Sequence, residues 1–139
     1  MSAQLYTLSP GNKFDIQLSV ANLREHKLAH LLTKGTIELK AETWQWRRTG
    51  RLCIEYAQSG KPSGIAVCDA DVWTHQLNDD DGKPLVLLVF PLERAKELAR
   101  WSWRRCNGRR RGGGDKGNID TVVVKLNDLI RWLIKGGGE

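Results

Sequence analysis

The chain has 139 residues, of which 40% are hydrophobic and 27% are charged, and this predicts one compact domain over residues 1–139. It contains no run of about eighteen apolar residues, which excludes a membrane-spanning helix. Its start lacks the basic and then apolar pattern of a secretory signal. Three cysteines without a C-x-x-C pair favour free thiols, so we expect a cytoplasmic protein without membrane partners.

The net charge of +6 is concentrated in one segment. Between Arg100 and Lys116 the sequence has seven basic residues and one acidic residue, so the rest of the chain is close to neutral. A neutral body with one basic patch indicates a surface for a polyanion such as DNA. The alternative is a solvated loop. The DNA-contacting residues predicted in this segment are Arg104, Arg105, Arg109, Arg110 and Arg111.

Hydrophobic periodicity divides the chain into short elements. Residues 14–19 alternate apolar and polar side chains as a strand does, and residues 20–33 have apolar residues at helical spacing up to a stop near Gly35. The remaining predictions, in chain order, are strand 36–40, a polar hairpin loop 41–50, strand 51–57, loop 58–64, helix 65–77, turn 78–84, buried strand 85–90, helix 92–103, a flexible basic loop about 104–119, strand 120–126, a closing helix to 134 and a Gly-rich tail 136–139.

This order predicts an α/β domain with a mixed central β-sheet flanked by helices. The two strands joined by the hairpin are expected to be antiparallel, while helical crossovers give parallel neighbours. The sequence contains no internal repeats.

The strand TIELK (36–40) carries the pattern that most indicates a catalytic site. Glu38 and Lys40 project from one face, while Ile37 and Leu39 anchor the other. If strand 51–57 pairs with it through the hairpin, Glu55 stands near Glu38. A carboxylate can hold a divalent ion and a lysine can stabilise developing charge, as phosphodiester hydrolysis requires.

Three motifs together resemble a known family. The segments IELKAE (37–42), RTGRLCIEY (48–56) and GKPSGI (60–65) are similar to phage and bacterial proteins of the PD-(D/E)XK nuclease superfamily. That superfamily includes Holliday-junction resolvases and restriction endonucleases. The resemblance covers roughly residues 14–75, and it implies a restriction-endonuclease-like fold in a bacterial or phage-infected cell.

The resemblance implies Glu38 as a metal ligand for Mg²⁺ or Mn²⁺ and Lys40 as the catalytic lysine. Glu25 would be the extra acidic residue of resolvase-like members, acting in catalysis and metal binding, and Glu42 matches an acidic position after the lysine. The usual aspartate before the E-x-K strand is missing, because residues 26–37 contain no Asp or Glu. His30, Glu25 or Glu55 would have to replace it.

Further contacts to DNA are predicted outside the basic segment. Arg47, Arg48 and Arg51 lie around the hairpin, and Lys61 and Ser63 lie in GKPSGI, where a helix start could hold a phosphate or be merely a cap. Of the tryptophans, Trp44 and Trp46 are either exposed for stacking on unpaired bases or packed in the core. The other three discussed, Trp101, Trp103 and Trp132, are predicted to pack on the core.

These observations predict a Mg²⁺-dependent DNA endonuclease, structure-selective like a junction resolvase and acting as a homodimer. Two alternatives stay open at this point. One is a catalytically inactive nuclease fold that binds DNA or protein, which the missing aspartate favours. The other is an RNA-binding accessory protein, which only the Arg/Gly-rich segment favours.

Overall fold

The computed structural model describes residues 25–42 and 45–137. The chain divides into two compact units, residues 1–36 and 37–139, and each is described by itself. In the first unit, residues 25–34 form a helix, α1, which ends where the Gly35 N–H donates to the Leu31 carbonyl. The predicted helix end is therefore confirmed. The predicted strand 14–19 and the helix start lie outside the described residues, and the single domain stays a prediction.

The second unit is an α/β structure with two sheets flanked by helices, which confirms the predicted class. Its elements are β1 (Ile37–Glu42), α2 (Gln45–Thr49), β2 (Arg51–Gln58), β3 (Lys61–Pro62), a 3-10 turn (Gly64–Ala66), β4 (Val72–Asn78), β5 (Pro84–Pro91), α3 (Leu92–Arg105), β6 (Arg109–Gly113), β7 (Ile119–Lys125) and α4 (Leu126–Ile134). None of the helices in the described ranges has the length and apolar content needed to cross a membrane.

The strands form two sheets instead of the single mixed sheet that was predicted. The first sheet has the order β1-β4-β5, with β1 parallel to β4 and β4 antiparallel to β5. The second has the order β3-β2-β7-β6, and all its pairs are antiparallel. The predicted hairpin between β1 and β2 is wrong, because α2 occupies its place and the two strands belong to different sheets.

Three other element predictions are also wrong. Residues 65–77, predicted as one helix, form the end of the 3-10 turn and then β4, whose buried Trp73 and Val72 fit a central strand. The basic segment predicted as a loop contains β6, which pairs with β7. Strand β5 forms where expected, but Leu85, Leu87 and Val89 are exposed, so it is not the buried strand that was predicted.

One core joins both sheets to α3 and α4. On α3 the buried residues Ala95, Leu98, Ala99 and Ser102 recur at the spacing of one helix face. They pack with apolar side chains from the inner faces of the strands, namely Leu52, Ile54, Trp73, Leu77, Phe90, Val122 and Val124. Helix α3 is therefore fixed against the second sheet, and its outer face remains free to line a surface.

Gly108 is required where α3 turns into β6. A Cβ atom at this position would lie 2.4 Å from Ser102 Oγ and 2.6 Å from the Val123 carbonyl oxygen. The Gly108 N–H donates to the Ser102 carbonyl, and Ser102 Oγ donates to the Val123 carbonyl at 2.8 Å. The end of α3 is thus locked onto β7, which fixes the origin of the basic strand β6.

Candidate nucleic-acid interface and the Glu38–Lys40 pair

Glu38 and Lys40 lie together on β1, as the strand pattern predicted. Lys40 Nζ is 2.8 Å from Glu38 Oε1, and the two side chains are 35% and 42% exposed, respectively. The parallel pairing places Glu38 beside Trp73 and Lys40 beside His75. Lys40 Nζ also lies 5.4 Å from the centre of the Trp73 ring, a cation–π contact. The lysine is therefore held between a carboxylate and a buried aromatic ring.

Glu42, on the same face of β1, joins the two sheets. Its Oε1 accepts a hydrogen bond from the Cys53 N–H of β2 at 3.2 Å. The same oxygen lies 2.9 Å from His75 Nδ1 of β4. Residues Glu38, Lys40 and Glu42 thus alternate along one strand face, but only the first two face solvent to a large extent.

The hydrogen bonds of His75 fix its tautomer. Trp73 Nε1–H donates to His75 Nε2 at 2.8 Å, so Nε2 carries no proton and Nδ1 donates to Glu42. His75 is 1% exposed, and both of its ring nitrogens are used. It is therefore a structural residue, and neither nitrogen is available as a base or a metal ligand in this arrangement.

The structure also affects the one thiol near this network. Partial desolvation, then the nearby Glu42 carboxylate, raises the pKa of the Cys53 thiol above its usual value of 9.0, and Arg51 lowers it by less. A raised pKa leaves little thiolate near neutral pH. Cys53 is therefore not an activated nucleophile.

The described residues do not fit a self-contained metal site. Within residues 25–42 and 45–137, no three His, Cys, Asp or Glu side chains come close enough to hold an ion. Glu42 and His75 are bound to each other, and Glu55 lies in the other sheet from Glu38. Glu25 and His30 belong to the first unit, so their predicted roles beside Glu38 stay predictions.

A second constellation lies along one side of α3. A cavity of about 480 Å³ opens there between α3 and the second sheet; we call it the α3 cavity. Its lining consists of four apolar residues, two aromatic residues and three cations, namely Ile65, Ala66, Ala99, Val122, Tyr56, Trp103, Lys96, Arg100 and Arg104. This combination was not recognised as a unit in the sequence.

The cations follow from helical spacing. Lys96, Arg100 and Arg104 are four residues apart, so they lie above one another on α3. The predicted helix already contained this i, i+4 spacing for Lys96 and Arg100, and it was the signal that could have revealed the row. Of the predicted DNA-contacting residues, Arg104 lines the cavity itself.

The aromatic wall is held by Arg109. Its Nε donates to Tyr56 Oη at 3.0 Å, and its guanidinium carbon lies 4.6 Å from the centre of the Trp103 ring. The rings of Tyr56 and Trp103 are 4.9 Å apart at their centres and tilted by 57°. Trp103 is 37% exposed, so the prediction that it packs in the core is wrong, whereas Trp101 and Trp132 are buried as predicted.

The other predicted DNA contacts lie elsewhere on the surface. Arg47 pairs with Asp80 at 3.1 Å, Arg105 lies at another surface pocket, and Arg48, Arg51, Lys61, Arg110 and Arg111 are exposed. Trp46 is half-buried and donates to the Asn78 carbonyl, which uses its only donor, and Trp44 lies outside the described residues. The structure therefore does not bring these groups together with the α3 cavity.

No α-helix begins at Ser63, where the sequence predicted one. Residues Gly64–Ala66 form a single 3-10 turn, and Ser63 makes no side-chain cap. The Ser63 N–H donates to the Tyr56 carbonyl, and its Oγ is buried without a hydrogen-bond partner among the described residues. Ser63 therefore stands at the cap position of a 3-10 turn without a side-chain cap, and its contact with a phosphate stays a prediction.

No protein family, curated protein or solved structure matches this chain.

Proposed function

We propose that this protein binds DNA, and that the α3 cavity is the centre of the binding surface. The observation that carries the proposal is the row of Lys96, Arg100 and Arg104 on one helix face, beside the aromatic pair Tyr56 and Trp103. Cations supply the sequence-independent attraction to phosphates. Exposed aromatic rings are the groups on which bases stack.

The charge distribution supports the same proposal. The segment with a net charge of +6 begins on α3 and continues through β6, and two of its arginines, Arg100 and Arg104, line the α3 cavity. Arg109 belongs to this segment and contacts both aromatic rings. A polyanion that follows α3 would therefore meet charge along its path and not at one point.

The test is DNA binding measured by fluorescence anisotropy over a range of salt concentrations. The double variant K96A/R100A removes two cations of the row, and K83A/K135A removes two exposed cations that do not line the cavity. Each phosphate contact contributes roughly 0.9 to the slope of log affinity against log salt concentration. We expect the slope to fall by about 2 in K96A/R100A and to stay unchanged in K83A/K135A.

Two outcomes would contradict the proposal. One is the absence of salt-dependent DNA binding in the unmodified protein. The other is equal weakening by both double variants, which would mean diffuse charge and no defined surface. A competing RNA strand that displaces DNA at far lower concentration would shift the proposal to RNA.

A second candidate function is phosphodiester hydrolysis at Glu38 and Lys40, within a restriction-endonuclease-like fold as the resemblance implies. The observation that favours it is the 2.8 Å pair on an accessible strand face. Lys40 is the group that could neutralise charge developing on a phosphate. Since the described residues do not complete a metal site, any ion would need additional ligands, and no catalytic step is assigned to it.

Hydrolysis is tested with branched, duplex and single-stranded DNA, each incubated with Mg²⁺, Mn²⁺ or a chelator. The variants are E38Q and K40M, with D81N and K83M as exposed controls of the same chemistry. Metal-dependent cleavage that both site variants abolish would support the nuclease function, and preference for branched DNA would support a resolvase-like activity. Binding without cleavage would contradict the nuclease function and favour a protein that only binds DNA.

A further inference from the structure

We infer that the α3 cavity receives an unpaired base, so that the protein prefers single-stranded DNA over duplex DNA. This inference rests on the proposed function and specifies its substrate class. It depends on the shape and lining of the cavity, on the fixed position of its aromatic wall, and on the path of the cations along α3.

The lining fits a flat apolar group with a charged tail. A volume of about 480 Å³ lies within the range of small-molecule pockets. Ile65, Ala99 and Val122 supply buried apolar lining, and all three cations belong to α3. In duplex DNA the faces of the bases are stacked on one another and only their edges are accessible. An apolar concavity of this size therefore matches a base only when that base has left the duplex.

The aromatic wall is organised before any ligand binds. The register of β2 against β7 shifts between Glu55 and Ala57, which leaves Tyr56 as the extra residue of a bulge. The side chain of Tyr56 lines the cavity there, and Arg109 holds it against Trp103. Because these groups are already ordered, little conformational entropy is lost when a base stacks on them.

The cations continue the path beyond one base. From Lys96 to Arg104 the axis of α3 rises by about 12 Å, at 1.5 Å per residue. This row is long enough to follow more than one backbone phosphate of an extended strand. A single strand can bend to place its base in the cavity while its phosphates run along α3, whereas the fixed width of a duplex prevents both contacts at once.

The experiment compares ligands that differ only in their bases. Labelled oligothymidine, an abasic strand of the same length and a duplex of the same length are titrated by fluorescence anisotropy at one salt concentration. Stacking on one aromatic side chain corresponds to roughly 5- to 150-fold in affinity. We expect oligothymidine to bind the protein more tightly than the abasic strand and the duplex by a factor in that range.

Three variants test whether Trp103 is responsible for the preference for the strand with bases. W103A is expected to lose most of the preference for the strand with bases, and W103F is expected to keep it, because phenylalanine retains a stacking face. W101F, at a buried tryptophan, controls for the loss of an indole. Oligothymidine should quench the tryptophan fluorescence of the unmodified protein and of W101F, but much less that of W103F. Urea unfolding of each variant identifies any loss of fold.

The outcomes separate the inference from the function on which it rests. Equal affinity for all three ligands, unchanged in folded W103A, would overturn the inference and leave DNA binding intact. Tight binding of the abasic strand would do the same, because it shows that phosphates alone suffice. Failure of every DNA ligand to bind would overturn the proposed function, and the inference with it.

Discussion

Replacing Glu42 by alanine removes the carboxylate that joins the two sheets. One oxygen of this side chain accepts from the Cys53 N–H of β2 and from His75 Nδ1 of β4. Because His75 is 1% exposed, water cannot readily replace the lost acceptor. We therefore expect E42A to weaken the connection between the sheets and lower the free energy of unfolding.

The magnitude follows from the two donors. Leaving the buried His75 donor without a partner costs about 1–3 kcal/mol, and the exposed Cys53 residue can hydrogen-bond to water at a cost of at most about 1 kcal/mol. The expected loss for E42A is therefore about 1–4 kcal/mol. Glu42→Gln keeps an acceptor oxygen and loses only its charge, so it should cost about 1 kcal/mol.

Urea unfolding followed by tryptophan fluorescence measures these differences. The matched control is E38A, since Glu38 is 42% exposed on the same strand and its pair with Lys40 is worth at most about 1 kcal/mol. The expected order of destabilisation is E42A, then E42Q, then E38A. If E42A were no less stable than E38A, the bridging role of Glu42 would be refuted.

Two further predictions concern packing and titration. G108A should lower the free energy of unfolding by at least about 2 kcal/mol, because its methyl group would overlap Ser102 Oγ. The control G82A lies at a φ of 80° with open space around it, so it should cost only about 1–2 kcal/mol of backbone strain. Urea unfolding measures both variants, and a smaller destabilisation by G108A than by G82A would contradict the packing around Gly108. For Cys53, the raised pKa means that the folded state keeps the thiol proton while the unfolded state loses it, so this contribution to stability declines as pH rises above 9.0. The thiol pKa can be measured from the pH dependence of alkylation in a variant with Cys53 as the single cysteine. We expect this pKa to be higher in the folded protein than in the urea-unfolded chain, and to fall when E42Q is added. A folded-state pKa equal to the unfolded one, or unchanged by E42Q, would refute the assigned causes.

The sequence predicted the elements whose signals are local. The end of α1 near Gly35, the strands β1 and β2, the turn after Asn78 and the helix α3 follow from periodicity and turn residues, which depend on neighbours in the chain. The pairing of Glu38 with Lys40 was also predictable, since residues two apart on a strand share a face.

Local signals misled where long-range packing chose the structure. Residues 65–77 have apolar residues at a spacing compatible with a helix, but Trp73 and His75 are buried in a central strand that pairs on both sides. Trp103 looked like a core residue by type, yet the α3 face that carries it lines the cavity. An apolar side chain can pack in the core or line a partly exposed cavity, and its neighbours in the folded structure decide between the two.

By itself, the sequence determined the α/β class, the location of the charge and the Glu38–Lys40 pair, because each depends on composition or on residues close in the chain. The tertiary structure decided that β1 and β2 belong to different sheets, which removes the strand pairing that was expected to place Glu55 beside Glu38. It also brought Tyr56 and Arg109, which are 53 positions apart, to the exposed side of α3. Strand pairing sets such juxtapositions through contacts between distant segments, and no local pattern encodes them.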